Sequence, residues 1–302
     1  MLNSCQGGWN EFTKSNPGIR RGRLVPEGRQ SQIAFHTHLT HNINNLGVHQ
    51  AIEFDYVLLN EGTGYSVYTG HFVAPVSGLY VFAWTITSGD YTCIVYDVVK
   101  NNEILVHFIS DAADHNDWAV SSGTAVTRMN SGDRVWIRVS DIFVPCSHTV
   151  YGTGFGRGRL VPEGRQSQIA FHVHLTRNIN NLGVRQAIEF NHVLLNDGNG
   201  YSVYTGHFVA PVSGLYVFAW TISSGDGTCM IYDVVKNNEI LVHFISDAAQ
   251  HTDWAVSSGT AVTRMNSGDR VWIRVSDIYI PCSHTVYGTG LGTSSFAGYL
   301  LN

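Results

Sequence analysis

The sequence has little charge and few of the residues that mark other architectures. Charged residues make up 14% of the 302 residues, and there are only 7 prolines and 4 methionines. The net charge is −5 with histidine neutral, so we expect no nucleic-acid partner, which would require a basic surface. The longest apolar stretch, near Leu79–Ile86, falls well short of the ~20 residues of a membrane span.

Several signatures of chemistry are also missing. The sequence has no Gly-x-Ser-x-Gly elbow, phosphate-binding loop, dinucleotide fingerprint or His-Glu-x-x-His motif, so we expect that the protein is not an enzyme. No Cys-x-x-Cys pair occurs, which argues against a zinc site. Residues 1–20 are polar and do not resemble a basic leader followed by an apolar stretch. We therefore expect either that a secretion signal has been removed or that none exists.

Glycine and apolar residues are abundant by comparison, with 31 glycines and an apolar fraction of 44%. This composition can build real cores, and the chain is long enough for two ordinary domains. The dominant feature is an internal repeat with an offset of 136, in which residues 20–155 match residues 156–291 without a gap and differ at about 17 positions. We therefore expect an N-terminal arm at 1–20 and near-identical domains at 21–155 and 156–302.

Each copy is organised around a strand–turn–strand unit that begins at Thr69 and returns at Thr205. Pro75 fixes one backbone angle of the turn, and Gly78 provides conformational freedom at its exit. The next strand is apolar on both faces, which is typical of an interior strand covered on each side. Another strand is predicted at Gln50–Leu59. Short strands separated by turn signals at intervals of roughly ten residues predict an all-β sandwich or jelly roll.

Four motifs, in a fixed order, carry a specific family resemblance. They are Thr69–Trp84, Tyr96–Glu103, Ser122–Val126 with Asn130–Trp136, and the closing Ser295–Leu301. Together they resemble the globular C1q domain, and the chain is similar to the secreted C1q-domain proteins of molluscs. The resemblance implies two tandem C1q/TNF-like jelly-roll domains of ten strands each, which associate as trimers and bind rather than catalyse. The first copy lacks the closing motif, so either Phe155–Val161 or the N-terminal arm supplies its last strand.

The resemblance also implies how the cysteines pair. In such a jelly roll the strand after Cys93 runs antiparallel beside the strand before Cys146. This arrangement implies the bridges Cys93–Cys146 and Cys229–Cys282, with free thiols as the alternative. The bridges would place the protein in an oxidising, extracellular setting. Cys5 is left over and could link chains.

The acidic loop at 110–118 predicts a calcium site. Carboxylate oxygens on an exposed loop are ligands that calcium prefers, and in similar C1q domains the acidic residues of this loop hold calcium. The resemblance maps these ligands onto Asp111 and Asp117 in the first copy and onto Asp247 and Asp253 in the second. The alternative is a solvated turn in which the carboxylates accept backbone hydrogen bonds.

Aromatic side chains on the predicted loops suit sugar binding. Rings stack on the C–H faces of sugars, while neighbouring polar groups bond to the hydroxyls. The candidates are Tyr91, Trp118 and His148 in the first copy and Trp254 and His284 in the second. Packing of Trp118 against the end of the domain is equally compatible with the pattern.

Histidine is abundant, with 15 residues, and His36 and His38 lie on one face of a predicted strand with His41 nearby. Such a cluster could bind a transition metal. The second copy, however, has Arg177 at the position of His41. The pattern therefore favours a partly buried histidine pair, or a pair at an interface between chains, over a metal site.

The sequence as a whole predicts a secreted, multivalent, lectin-like recognition protein of invertebrate innate immunity. We expect it to bind microbial or cell-surface glycans with the assistance of calcium, and to gain strength from many weak sites. We also expect self-association as a trimer of two-domain chains. The alternative is a histidine-rich protein that binds metal or belongs to an extracellular matrix or biomineral.

Overall fold

A computed structural model describes most of the two repeats. The described residues are 33–114, 118–142, 146–152, 154–161, 168–249, 254–278, 282–289 and 292–301. Within them the chain is all-β and contains no helix, which confirms the predicted fold class. Nothing in the described chain has the helical length and apolarity needed to cross a membrane. The N-terminal arm and Cys5 lie outside the described residues.

The first jelly roll packs a five-stranded sheet against a four-stranded one. The sheet orders are β2-β1-β9-β4-β7 and β3-β8-β5-β6, and all neighbouring strands are antiparallel. Its described residues hold nine strands, one fewer than the resemblance implies. The strands are β1 (Ala34–His38), β2 (Tyr56–Glu61), β3 (Phe72–Val73), β4 (Gly78–Gly89), β5 (Cys93–Lys100), β6 (Glu103–Asp111), β7 (Trp118–Met129), β8 (Arg134–Val139) and β9 (Phe155–Val161).

The second jelly roll repeats this topology. Its sheet orders are β11-β10-β18-β13-β16 and β12-β17-β14-β15, so each strand occupies the place of its counterpart in the first. The strands are β10 (Ala170–His174), β11 (His192–Asp197), β12 (Phe208–Val209), β13 (Gly214–Gly225), β14 (Cys229–Lys236), β15 (Glu239–Asp247), β16 (Trp254–Met265), β17 (Arg270–Val275) and β18 (Ser295–Leu301).

Strand β4 lies inside its sheet, between β9 and β7, but the predicted cover on both faces is only partly present, since Val81 and Ala83 on its outer face are half-buried. Its inward side chains, including Tyr80 and Trp84, are almost completely buried. The prediction that Gly78 provides conformational freedom is wrong, because Gly78 does not have a positive φ. A Cβ at Gly78 would instead lie 2.5 Å from Leu160 Cδ1, so a larger residue here would displace the end of the Leu160 side chain.

The predicted strand at Gln50–Leu59 is wrong in its first half, since the strand begins at Tyr56. The backbone of the preceding residues is used by the opposite sheet. Ile52 N donates to Ile137 O at 2.8 Å, and Ala51 bridges Arg138. The segment therefore lies along β8 before the chain crosses to pair with β1.

The last strand of the first jelly roll is β9, which settles the choice left open by the sequence. It pairs with β1 and β4, so it belongs to the first jelly roll although the repeat alignment starts the second copy at 156. Its sequence, Phe-Gly-Arg-Gly-Arg-Leu-Val, fits because the glycines face the core. A Cβ at Gly158 would lie 2.3 Å from Phe35 Cε1. Arg157 and Arg159, on the alternate positions, are exposed.

The two jelly rolls lie within one compact unit of the chain and contact each other. The edge formed by β6 and β7 of the first packs on the outer face of the five-stranded sheet of the second. Val126 is buried in a small apolar cluster with Ala170 and Tyr299. Arg128 Nε lies 2.6 Å from Asp197 Oδ2 across this contact. We call it the inter-repeat contact.

Candidate functional site

Strand register brings the candidate loops of each jelly roll to one end. Gly89 is opposite Trp118 in the β4–β7 ladder, and Cys93 is opposite Asp111 in the β5–β6 ladder. The segment at 146–151 joins them through a disulfide and through Tyr151 N, which donates to Thr87 O at 2.9 Å. We call this region, at 89–93, 111–114, 118 and 146–151, and its described counterpart in the second jelly roll, the disulfide end.

Both disulfides implied by the resemblance are present. Cys93 is bonded to Cys146, with a Cα–Cα distance of 5.1 Å, and Cys229 to Cys282, with 5.4 Å. The pairing follows from topology, because β5 and β8 are antiparallel neighbours and the cysteines continue these strands at the same end. Ser147 Oγ also accepts from Cys93 N at 3.3 Å. The bridge therefore anchors the backbone beneath the candidate loops.

Tyr91 stands at the tip of the turn between β4 and β5. The turn is closed by Thr92, whose Oγ1 donates to Gly89 O at 2.6 Å. Tyr91 has a φ of 62° and a side chain that is 64% exposed. The counterpart is Gly227, with a φ of 69°. Tyrosine in the left-handed region carries a conformational cost that glycine avoids, so the first jelly roll presents an aromatic ring that the second lacks.

Each disulfide end carries an aromatic pair. The ring centroids of Trp118 and Tyr151 are 4.8 Å apart, with planes at 71°. The counterparts Trp254 and Tyr287 have the same separation, with planes at 72°. The Trp118 side chain is 52% exposed. An edge-to-face pair holds the indole in one orientation, so each end offers a fixed ring surface with polar neighbours.

The two histidines predicted to contact sugar, His148 and His284, are hydrogen-bonded to the backbone of a neighbouring loop. Leu46 N donates to His148 O at 3.2 Å, and the His148 Nδ1 atom lies 3.3 Å from Leu46 O. Leu182 N donates to His284 O at 3.1 Å in the second jelly roll. Both histidines have a positive φ. These contacts connect the 146–151 segment to the loop after β1.

The acidic loops are only partly described. Asp111 Oδ1 accepts from Ala113 N at 3.1 Å, and Asp247 makes the same contact with the backbone two residues on. Asp117 and Asp253 lie outside the described residues. Among the residues that are described, no three His, Cys, Asp or Glu side chains group as metal ligands. Calcium takes six to eight oxygens, so calcium at this loop stays a prediction.

His36 and His38 lie on one face of β1, as predicted, and this is the face turned away from the core. His36 and His38 are partly buried, and the His38 ring is 4.6 Å from that of Tyr56. Their counterparts are shielded by the inter-repeat contact, where His172 is completely buried and His174 lies 4.6 Å from His192. The described residues show no metal-ligating group here either.

Sequence reasoning missed a buried polar network on the four-stranded sheet. Asp97 is completely buried, with His107 Nδ1 at 2.7 Å and Arg138 Nε at 3.2 Å. Burial alone would raise the pKa of Asp97, but the hydrogen bonds from His107 and Arg138 outweigh it and hold that pKa below its usual value. The same network recurs in the second jelly roll at Asp233. An aspartate inside the otherwise apolar strand β5 was the signal that could have found it.

Comparison with known sequences finds the same family in both halves of the chain. The family model of the C1q domain matches residues 34–155 and 170–301. Heavy metal-binding protein HIP from Mytilus edulis is 33% identical over 146 residues, which are 46% of this chain and 62% of that protein. Human complement C1q tumor necrosis factor-related protein 3 is 31% identical over 134 residues, which are 44% of this chain and 51% of that protein. The matches thus span about half or more, but less than two thirds, of these relatives.

Solved structures give similar coverage. The globular domain of zebrafish complement 1qA protein is 22% identical with a TM-score of 0.37, and covers 45% of this chain and 98% of that chain. The structure of Eiger TNF from S. frugiperda is 15% identical with a TM-score of 0.37, and covers 45% of this chain and 97% of its own. Each alignment therefore takes in slightly less than half of the present chain.

Proposed function

The chain belongs to the C1q domain family, and from this premise we propose that it is a secreted recognition protein that binds glycans at the disulfide ends of its two jelly rolls. Relatives in this family are typically secreted and act as structural or recognition proteins without enzymatic activity. The two disulfides fit an oxidising compartment. In this proposal the protein is part of invertebrate innate immunity, and its ligands are microbial or cell-surface sugars.

The aromatic pair at each disulfide end is the observation that supports glycan binding. Trp118 is fixed against Tyr151, and the same geometry recurs at Trp254. A half-exposed indole next in sequence to an acidic loop matches the chemistry of a sugar, which has an apolar face and a rim of hydroxyls. Tyr91 adds a second exposed ring in the first jelly roll.

The presence of two jelly rolls in one chain would raise its overall affinity for a surface with repeated sugars. Single sugar contacts on a shallow surface are weak, and two linked sites on one chain raise the overall affinity without any new contact. Domains of this family typically self-associate as trimers, and in our proposal this chain assembles as a trimer of two-domain chains. Such an assembly would present six disulfide ends, two from each chain, to a surface with repeated sugars.

A glycan array tests the proposal directly. The full chain should bind a defined set of sugars in buffer with calcium, and the Trp118→Ala/Trp254→Ala double variant should lose at least tenfold in affinity. Repeating the array with EDTA measures the contribution of calcium and of the acidic loops that include Asp111 and Asp247. Absence of sugar binding by the wild-type chain, or unchanged binding by the double variant, would reject the proposal.

Metal binding is the second candidate, and it has less support. One curated relative is named a heavy metal-binding protein, but that name describes the relative. The described residues of this chain contain no group of three metal ligands. Equilibrium dialysis against copper, cadmium or calcium separates the two functions. Stoichiometric metal uptake without any sugar binding would favour the metal-binding or matrix function.

A further inference from the structure

A recess of about 190 Å³ lies beside the loop that follows β1 in the first jelly roll. Its floor is aliphatic, because Leu46 belongs to the buried core and Ile43 and Val67 pack against that core. Its rim is polar and carries the carboxylates of Glu53 and Asp55. We call this feature the loop recess. It is lined by His41, Ile43, Leu46, Gln50, Ala51, Glu53, Asp55 and Val67.

The carboxylate of Glu53 is open to a ligand. The residue is exposed, and within the part of the chain that the structure describes it has neither an ion pair nor a hydrogen bond. An uncompensated negative charge beside low-dielectric apolar walls concentrates cations from solution. The charge of Glu53 is therefore available to a ligand in the recess.

Asp55 is held in place by the neighbouring loop. Thr40 N, at 2.8 Å, and the Thr40 hydroxyl both donate to its carboxylate, and His41 Nδ1 lies 3.3 Å from Asp55 Oδ2. Burial alone would raise the pKa of Asp55, but the hydrogen bonds from Thr40 outweigh it and hold that pKa below its usual value. The recess therefore contains a second, ionised carboxylate at a fixed position.

The second jelly roll builds the same loop without this charge. Asn191 replaces Asp55, accepts from Thr176 N at 3.0 Å and donates to Thr176 Oγ1 at 2.6 Å. The neutral amide satisfies the same threonine, so the loop does not need a carboxylate in order to fold. What Asp55 adds to the first jelly roll is negative charge.

The only other difference at the lining positions also concerns charge. Arg177 replaces His41 in the second copy, whereas the remaining positions, including Glu189 for Glu53, have the same residues. The second copy thus has one carboxylate and one guanidinium, and the first has two carboxylates and an imidazole. Both replacements make the second copy more positive, so a ligand that is attracted by negative charge would prefer the first.

We propose that the loop recess of the first jelly roll binds a primary ammonium group on a short aliphatic stem. The stem would lie on the aliphatic floor, and the N–H groups would donate to Glu53 and Asp55. The described lining contains no Phe, Tyr or Trp ring. Since quaternary ammonium groups are held by cages of such rings, we expect the recess to bind them poorly. The proposal goes beyond glycan recognition and does not depend on it.

Titration of the full chain with butylammonium, followed by NMR of the Thr40 amide, tests the proposal. We expect saturable binding by the wild type and about fivefold weaker binding by Asp55→Asn, because one exposed ion pair is lost. The variant should fold, since the second copy already has asparagine at this position. Butyltrimethylammonium, which has the same stem, should bind the wild type more weakly. Glu103→Gln, at the exposed hairpin between β5 and β6, is the control and should bind like the wild type.

The second jelly roll allows the reverse experiment. Asn191→Asp/Arg177→His gives it the lining residues of the first, so this double variant should bind two butylammonium ions per chain. Absence of a saturable shift in the wild type would overturn the proposal. Unchanged affinity of Asp55→Asn, tighter binding of the trimethylated amine, or a double variant that still binds one ion would overturn it as well.

Vesicles distinguish two sources of such an ammonium group. The chain is mixed with phosphatidylcholine vesicles that contain or lack phosphatidylethanolamine, and separately with free ethanolamine. Binding that requires the phosphatidylethanolamine vesicles identifies a lipid head group, and binding of free ethanolamine identifies a soluble amine. Either result supports the proposal if Asp55→Asn weakens the binding, and binding to both kinds of vesicle alike would contradict it.

Discussion

Val126 and Val262 occupy the same position of the two jelly rolls, yet their side chains are 1% and 59% exposed. The first is inserted against the neighbouring sheet and the second faces solvent. The local sequence is identical around both, so the environment is set by the order of the two copies along the chain. Each copy can therefore serve as the internal control for substitutions in the other.

The disulfide in each jelly roll should stabilise that jelly roll by a measurable amount. Each bridge closes a loop with a sequence separation of 53, and loss of such a crosslink costs about 2–4 kcal/mol. We expect two calorimetric transitions, one for each jelly roll. Cys93→Ser/Cys146→Ser should lower the melting temperature of the first jelly roll, and Cys229→Ser/Cys282→Ser should lower that of the second. Unchanged melting of both double variants relative to the wild type would contradict the pairing.

The buried carboxylate of Asp97 should be sensitive to loss of its charge. Asp97→Asn keeps the shape but leaves Arg138 and His107 beside a neutral amide, and breaking a buried ion pair in this way costs about 3 kcal/mol. Urea unfolding monitored by tryptophan fluorescence measures the change. Asp141→Asn, whose side chain is 62% exposed, is the control and should change stability by less than about 0.5 kcal/mol. Equal effects of the two substitutions would show that the network is not stabilising.

Two glycines on β9 should respond in opposite directions to alanine. Gly156 faces a cavity of about 30 Å³ in the core, at the position that Phe296 fills in the second jelly roll. A Cβ there would come no closer than 3.4 Å to Phe54 or Thr37, so Gly156→Ala should stabilise by about 0.5–1 kcal/mol. Gly158→Ala would press against Phe35 and should destabilise by about 1–3 kcal/mol. Chemical denaturation of both variants checks the signs, and two changes in the same direction would refute this packing.

The buried histidine of the inter-repeat contact should make stability depend on pH. Burial, with a smaller contribution from His174, lowers the pKa of His172 from 6.5 to about 3, while the Val126 backbone acts in the opposite direction. The unfolded chain therefore binds more protons between pH 3 and 6.5. The neutral, buried His172 therefore leaves stability at its full value above pH 6.5. Below pH 6.5 the free energy of unfolding falls by about 1.4 kcal/mol per pH unit.

Urea midpoints at pH 7.5 and pH 5 measure this dependence. We expect His172→Phe to lose less stability than the wild type over this range, because it removes a group that must protonate on unfolding. His36→Phe is the matched control at the same position of the first jelly roll, where the ring is only partly buried. If the wild type and His172→Phe show the same pH dependence, then His172 is not held neutral at the contact.

The sequence was sufficient for the all-β class, the tandem repeat and the interior strand β4, because these depend on local alternation and turn residues. The disulfide pairs came from the family resemblance. The early start predicted for β2 was wrong because Ile52 bonds to the opposite sheet, which is a long-range contact. The role of Gly78 was wrong for a similar reason, since Leu160 arrives from a strand about 80 residues away.

The candidate site was only partly predictable from the sequence. Turn signals placed Tyr91 and Trp118 in loops, but ring partners such as Tyr151 depend on how three chain segments meet at the disulfide end. The inter-repeat contact could not be predicted at all, because β7 and β16 have the same sequence although only β7 is buried at Val126. Only the assembled chain distinguishes the environments of Val126 and Val262.

The most direct test of the proposed function is the number of sugar-binding sites per chain. Titration calorimetry with a glycan selected on the array should give two sites for the wild type and one each for Trp118→Ala and Trp254→Ala. The double variant should show none, and Tyr68→Ala, at a position 87% exposed, should keep two. Two sites of unchanged affinity in the double variant would contradict glycan recognition at the disulfide ends.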